Sequence, residues 1–341
     1  MTVTRYGAPL EPRELPPPSL RPGCALLEVL TCGVCFSDVK IVRGRMPFSA
    51  GLPLPHVPGH EICARVLETD PPGALNSGTL VVVHNVWPCA TCAACRSGRE
   101  NICPNPRARL GFTEPGGFQE RIVAPLERLA VVPAGIDCVH AAPLTCALGT
   151  AYRAVVTRGG AVPGARMAVI GLGGVGIHAL QIAAACGAQA TGMDTSPRTV
   201  EFAAELGLTA HDVRGERLEG RLPDAAGGER FDVVIDTVGQ RGTILQALDL
   251  VRPGGRIVAV GYSVSECFLM SSSKVVLEEI ELAGSRYVLL DELERVIRLV
   301  AEGRVQVVVD EVLDLSEADA ALARLEAGEV IGRLVIDVAA A

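Results

Sequence analysis

Gly171-Leu172-Gly173-Gly174-Val175-Gly176 joins an apolar run at Met167–Ile170 to a helical run at Ile177–Cys186, and it constrains the fold more than any other stretch of the chain. A G-x-G-x-x-G loop that follows a strand and opens a helix is suited to a phosphate. Gly171 permits the tight turn, Gly173 lets a pyrophosphate approach the backbone, and Gly176 lets helix and strand pack closely. The phosphate then sits at the positive end of the helix. Asp194 closes the next strand, Gln189–Met193, near the spacing at which an acid receives the adenosine ribose hydroxyls. Such a carboxylate repels a 2′-phosphate, which predicts NAD(H) in preference to NADP(H). Arg198 keeps NADP open, because a guanidinium can meet that phosphate.

The surroundings of the loop agree with it. A helix is predicted at Pro197–Leu206, and strands at Val233–Asp236, Ile257–Val260 and Glu281–Ala283. Strands alternating with helices imply an α/β unit with a doubly wound parallel sheet. The first 147 residues differ: they are rich in Pro and Gly, with short β runs at Ala25–Leu30, Ile62–Leu67, Leu80–His84 and Arg121–Pro125. After Ser285 the pattern predicts a helix at Leu290–Glu302, a strand near Val305–Val309, a helix at Ser316–Glu326 and a final strand at Arg333–Asp337. The β lobe has no C-terminal partner strand of its own, so the tail is expected to pack back onto it.

Composition excludes several classes. With 341 residues, 49% apolar and 21% charged, the chain has the makeup of a folded protein with ample core. A net charge of −8 without a Lys/Arg block argues against nucleic acid as a partner. Met167–Met193 carries no charged side chain, yet its six glycines, His178 and Gln181 divide it into strand, turn and helix, so no membrane span is expected. The N-terminus has no basic segment followed by an apolar one, and twelve cysteines then suggest a cytoplasmic location, where thiols stay reduced for metal or redox work.

Cys89, Cys92, Cys95 and Cys103 form C-x2-C-x2-C-x7-C, four thiolates within fifteen residues. That donor set suits a closed tetrahedral Zn²⁺ site, which leaves no position for a substrate. Chemistry must lie elsewhere. Gly33-Val34-Cys35-Phe36-Ser37-Asp38, Gly59-His60-Glu61 and Pro143-Leu144-Thr145-Cys146 together offer two thiolates and an imidazole. Two cysteines with one histidine leave zinc an open fourth position, and alcohol dehydrogenase is the established example of that set.

In the order and spacing of these five motifs, over nearly its whole length, the chain resembles the zinc-dependent alcohol dehydrogenases of the medium-chain dehydrogenase/reductase superfamily. The resemblance implies a GroES-like, mostly β catalytic domain at 1–147 and 287–341, with a zinc lobe at about 88–104, and a Rossmann domain at 148–286. It implies two Zn²⁺ per subunit: one held by Cys35, His60 and Cys146, the other by the quartet. Glu61 would lie just behind the catalytic ion, Asp38 would orient His60, and Ser37 would bond the substrate oxygen and start a proton relay. Thr150 would touch the nicotinamide and Arg333 the pyrophosphate.

Some positions depart from the family's pattern. Lys40 stands where many members have a relay histidine, and Phe36 where a basic residue or histidine often meets the cofactor phosphates. Ala64 replaces a common glycine, and Gly78-Thr79-Leu80 a usual G-D-R. None removes a zinc ligand. Pocket walls are expected at Met46–Phe48, Trp87 and Leu110–Phe112, which points to an apolar alcohol or ketone of moderate size, although each of these residues also suits a core. The implied activity is reversible hydride transfer between a primary or secondary alcohol and NAD(P)+, in a homotetramer or homodimer. Two alternatives stay open: a reductase of an activated C=C bond, and a non-catalytic zinc and NAD redox sensor.

Overall fold

In the computed structural model, residues 1–47, 49–215, 230–265 and 267–339 are described. Phe48, expected as a pocket wall, lies outside them. The chain divides into two compact units: Met1–Gly149 with Val288–Gly303 and Val307–Ala341, and Thr150–Tyr287 with Arg304–Gln306.

The first unit begins with strands β1 (Cys24–Val34), β2 (Glu61–Thr69), β3 (Leu80–Val83), β4 (Val86–Trp87), β5 (Ala108–Arg109), β6 (Arg121–Pro125) and β7 (Leu129–Val131). The second unit contributes β8 (Arg166–Ile170), β9 (Gln189–Asp194), β10 (Thr209–Asp212), β11 (Phe231–Asp236), β12 (Val251–Ala259) and β13 (Glu281–Gly284). The chain then returns to the first unit with β14 (Val309–Asp314) and β15 (Arg333–Asp337).

Seven strands of the first unit form one sheet in the order β14-β15-β1-β2-β3-β7, with β6 also on β1. One edge of β1 is shared: β6 pairs with Cys24–Glu28 and β15 with Thr31–Val34, both antiparallel. The C-terminal tail thus closes the sheet beside the segment that leads to Cys35. β4 and β5 form a separate ribbon.

In the second unit the order β10-β9-β8-β11-β12-β13 is parallel throughout. Order reverses between β8 and β11, the switch point at which open α/β sheets take ligands. Met167, Ala168, Val169, Val234 and Ile235 are buried, as expected of strands covered on both faces. The helix Gly176–Ala185 is buried from Gly176 through Ala183, which explains why its sequence is apolar nearly all round.

The strand expected near Val305–Val309 begins instead at Val309. Upstream, the backbone of Gln306 is bonded to the Gln181 side chain at 3.0 and 2.9 Å, and Val308 O accepts from Arg333 N. The Gln306 groups are thus satisfied outside a ladder, and the Val308–Arg333 bond opens the β14–β15 ladder. The helix expected at Ser316–Glu326 is a 3-10 turn at Leu315–Glu317 followed by an α-helix at Ala318–Glu326.

Candidate functional site

The inner cluster grows from the end of β1. Cys35 is the N-cap of the helix Phe36–Val42, and its N–H donates to Asp38 Oδ2 at 2.9 Å. The other carboxylate oxygen accepts from Gly59 N and from His60 Nδ1, both at 3.1 Å. One fully buried aspartate therefore ties two otherwise separate ligand-bearing segments together. With Nδ1–H donated to Asp38, the His60 Nε2 lone pair is left for a metal. The Phe112 ring packs on the imidazole, centroids 4.6 Å apart.

Glu61 opens β2 opposite Gly33. A Cβ on Gly33 would come within 2.4 Å of Glu61 Oε2, so the carboxylate occupies space that any larger residue would fill. Cys146 follows the 3-10 turn Ala142–Thr145. Ligand atoms of Cys35, His60, Glu61 and Cys146 all lie within 4.8 Å of one another, and all four residues are buried. Two thiolate sulfurs, an imidazole nitrogen and a nearby carboxylate suit a zinc ion with an exchangeable position.

Charge is balanced from the far end of the chain. Arg333 Nε donates to Glu61 Oε1 and Oε2 at 3.0 and 3.2 Å, and Nη2 lies 3.7 Å from Cys35 Sγ. Burial pushes the Glu61 carboxyl up to about 7, against the pull of the Arg333 guanidinium. The two thiols titrate as a pair: the Cys146–Cys35 hydrogen bond holds Cys35 well below its ordinary value and Cys146 well above it. Burial would lower the His60 pKa, but the Asp38 charge and hydrogen bond hold it well above the usual imidazole value. Ser37, half-buried, sits in the first turn after Cys35. Burial lowers the Lys40 pKa, and its Nζ stands 5.9 Å from the centroid of the Phe36 ring.

The pyrophosphate contact inferred for Arg333 did not anticipate these partners. Its guanidinium is the counter-ion of a buried glutamate, because a carboxylate taken out of water needs one. No local signal could have paired residues 61 and 333.

In the lobe, Cys92 Sγ lies 3.4 and 3.9 Å from the sulfurs of Cys95 and Cys103, and Cys89 Sγ 4.0 and 3.5 Å from the same two. A tetrahedron with Zn–S near 2.3 Å has an edge of about 3.8 Å, which these values bracket. Backbone N–H groups of Cys89 and Cys95 point at Cys103 and Cys92 sulfurs, each at 3.4 Å. Hydrogen bonds from the Thr91 N–H and hydroxyl draw Cys89 down to about 6, toward the thiolate a metal needs. Trp87 is buried, with its indole N–H on His84 O at 3.2 Å, and belongs to the core.

In the second unit, Gly171 has φ +82°, and a Cβ on Gly176 would stand 1.7 Å from Gly171 O. Above Gly173 the space is open to 4 Å. Gly174 O accepts from His178 Nδ1 at 2.6 Å, and Val175 caps the helix. Asp194 accepts from Leu172 N at 2.6 Å and Ser196 N at 2.8 Å, so it shapes the loop while keeping lone pairs for a ribose. Arg198 is exposed in the first turn of the helix Pro197–Glu205, and Thr150 is buried in the helix Ala147–Tyr152.

Two family models match the chain: an alcohol dehydrogenase GroES-like domain over residues 21–134 and a zinc-binding dehydrogenase domain over 174–302. An alcohol dehydrogenase of Geobacillus stearothermophilus is 30% identical, covering 98% of both chains. An L-galactonate-5-dehydrogenase of Escherichia coli K12 is 33% identical over 86% of this chain and 84% of that one. The crystal structure of an NAD-dependent alcohol dehydrogenase superposes with a TM-score of 0.91 at 27% identity, covering 99% of this chain and 98% of the other. Among the described residues no helix is long and apolar enough to cross a membrane.

Proposed function

Because the chain belongs to the zinc-dependent alcohol dehydrogenases of the medium-chain dehydrogenase/reductase superfamily, we propose that it interconverts a primary or secondary alcohol and its carbonyl compound with NAD(H). The observation that carries this is the buried convergence of Cys35, His60 and Cys146 with Glu61 alongside. The family is zinc-binding and uses nicotinamide; two ions per subunit, a preference for NAD over NADP, a cytoplasmic location and a homotetrameric or homodimeric assembly are part of the proposal.

Cys35, His60 and Cys146 hold one ion, and Cys89, Cys92, Cys95 and Cys103 the other. When bound, the inner ion supplies Lewis-acid polarisation of the substrate oxygen, and the nicotinamide supplies the hydride acceptor. Asp38 fixes the imidazole tautomer, so that His60 presents a lone pair and not a proton. Arg333 neutralises Glu61 and keeps that carboxylate from adding a full negative charge beside the thiolates. Ser37 takes the proton of the substrate hydroxyl and passes it outward. Burial of the donor set excludes bulk water, which strengthens each electrostatic contact.

Gly171, Gly173, Gly174, Val175 and Gly176 receive the pyrophosphate, Asp194 the ribose, with Arg198 beside it, and Thr150 the nicotinamide. A guanidinium has five N–H donors, so the pairing with Glu61 leaves Arg333 donors for a phosphate as well. The test is NADH formation by the zinc-replete protein over a panel of alcohols, repeated with NADP+ and, in reverse, with a ketone and an enone. Alcohol-dependent NADH formation is expected; reduction of the enone alone would reject the proposal.

A further inference from the structure

A loop that receives an anion on its backbone N–H groups must keep its carbonyls turned away, because a carbonyl oxygen repels the phosphate that an N–H attracts. In a trans peptide the C=O and the next N–H point in opposite directions, so a donor that holds the carbonyl on one side presents the N–H on the other. Three carbonyls of the glycine loop after β8 are held in this way. Gly171 O accepts from Thr237 Oγ1 at 2.8 Å, Gly173 O from Ile177 N at 3.0 Å and Gly174 O from His178 Nδ1 at 2.6 Å. The second is an ordinary helical bond. The first and third come from side chains, and neither side chain has a part in the chemistry described above.

Thr237 follows β11, the neighbour of β8, and its N–H donates to Ile170 O at 3.0 Å. Its hydroxyl fills the space beneath two of the glycines: a Cβ on Gly171 would lie 2.8 Å from Oγ1, and one on Gly176 3.2 Å. Asp236, 0% exposed, fixes the turn that carries it, accepting from Val238 N at 2.9 Å, Gly239 N at 3.1 Å and the Thr243 hydroxyl at 2.9 Å. His178, also 0% exposed, stands in the first turn of the helix Gly176–Ala185 and folds back onto Gly174 O.

We propose that Thr237 and His178 are positioning residues for the dinucleotide, acting through the backbone of the loop. Thr237 sets the Gly171–Leu172 peptide, whose N–H donates to Asp194 Oδ2 at 2.6 Å and so aims that carboxylate at the ribose. His178 sets the Gly174–Val175 peptide, whose N–H is thereby turned to the pyrophosphate. The inference rests on the nicotinamide-dependent reading above and extends its binding loop to two side chains outside the glycine motif.

The test is the Kd of NADH, read by its fluorescence, and of ADP-ribose, read by displacement of NADH, for the zinc-replete protein and four variants. Thr237→Val and His178→Leu remove a donor, whereas Thr237→Ser and His178→Asn keep one. Loss of either donor is expected to weaken both ligands by about 5–10-fold, and the variants that keep one should stay within about 2-fold of wild type. Melting curves of the cofactor-free proteins separate positioning from packing. A residue that only packs the core lowers the melting temperature and leaves both constants unmoved, which overturns the inference. So does a donor-keeping variant that binds as weakly as its donor-removing counterpart. If one donor-removing variant does not fold, the other pair decides by the same criteria. Equal binding by all the proteins overturns this inference alone, and a wild-type protein that binds neither NADH nor NADPH overturns the reading it rests on.

Discussion

The lobe quartet and the inner cluster are both groups of four side chains of a kind that could hold a metal ion, and they are made in opposite ways. The quartet comes from fifteen consecutive residues, is half-buried apart from Cys103, and is braced by its own backbone N–H groups. The inner cluster comes from the end of β1, the start of β2 and the turn before Cys146, and it is buried. Asp38 orients its histidine, and its carboxylate is balanced by Arg333, which pairs with Glu61 across 272 positions. A closed local site can be specified by spacing. An open site for chemistry needs the fold to assemble ligands, a counter-ion and an orienting carboxylate.

Loss of an inner ligand should separate the two most sharply. His60→Ala is expected to lower kcat/KM by about 10³-fold or more, since the Lewis acid supplies several kcal/mol of transition-state stabilisation. Metal analysis should show the lobe ion retained; full activity would sink the inner site. Cys92→Ser should do the reverse, losing the lobe ion and about 5 °C or more of melting temperature, with the surviving folded enzyme still turning over. An unchanged melting curve with one ion fewer would count against a structural lobe. Asp38→Asn should cost about 10–100-fold in inner-site metal affinity or activity and leave the lobe untouched.

The smallest expected effect concerns pH. Burial holds the pKa of His84 and His56 below the ordinary 6.5, so both are neutral in the fold. His84 Nε2 lies 2.8 Å from Val288 O, and its Nδ1 lies 3.1 Å from Val86 O and 3.3 Å from Val86 N. The unfolded chain therefore takes up protons first: stability is full above about pH 6.5 and is lost as pH falls below it. His84→Gln should shallow that decline by about 2–3 °C, measured by melting curves from pH 7.5 to about pH 5. An identical slope in the variant would assign the dependence to other groups.

Strands flanked by strong turn signals were legible in the sequence, as at Arg121–Pro125 and Arg333–Asp337, because turn chemistry marks their ends. The strand expected at Val305 failed, since alternating valines mark burial and not a ladder. The helix Arg241–Leu250 and the short β10 were missed, being weakly patterned and held by contacts with their neighbours. For the site, residue type and motif spacing sufficed to propose the ligands. What surrounds them did not follow: the Glu61–Arg333 pair is a product of strand pairing, and nothing in the neighbourhood of Thr237 announces the loop carbonyl it holds.

The place of β15 beside β1 has a consequence for biosynthesis. Translation delivers Cys35, His60 and Cys146 well before Arg333, with a whole second unit made in between. Until the last strand leaves the ribosome, Glu61 has no cation and one edge of β1 stays unpaired beside Cys35. The nascent first unit is thus an incomplete template until β15 has been made, whereas the quartet is complete as soon as Cys103 has been added.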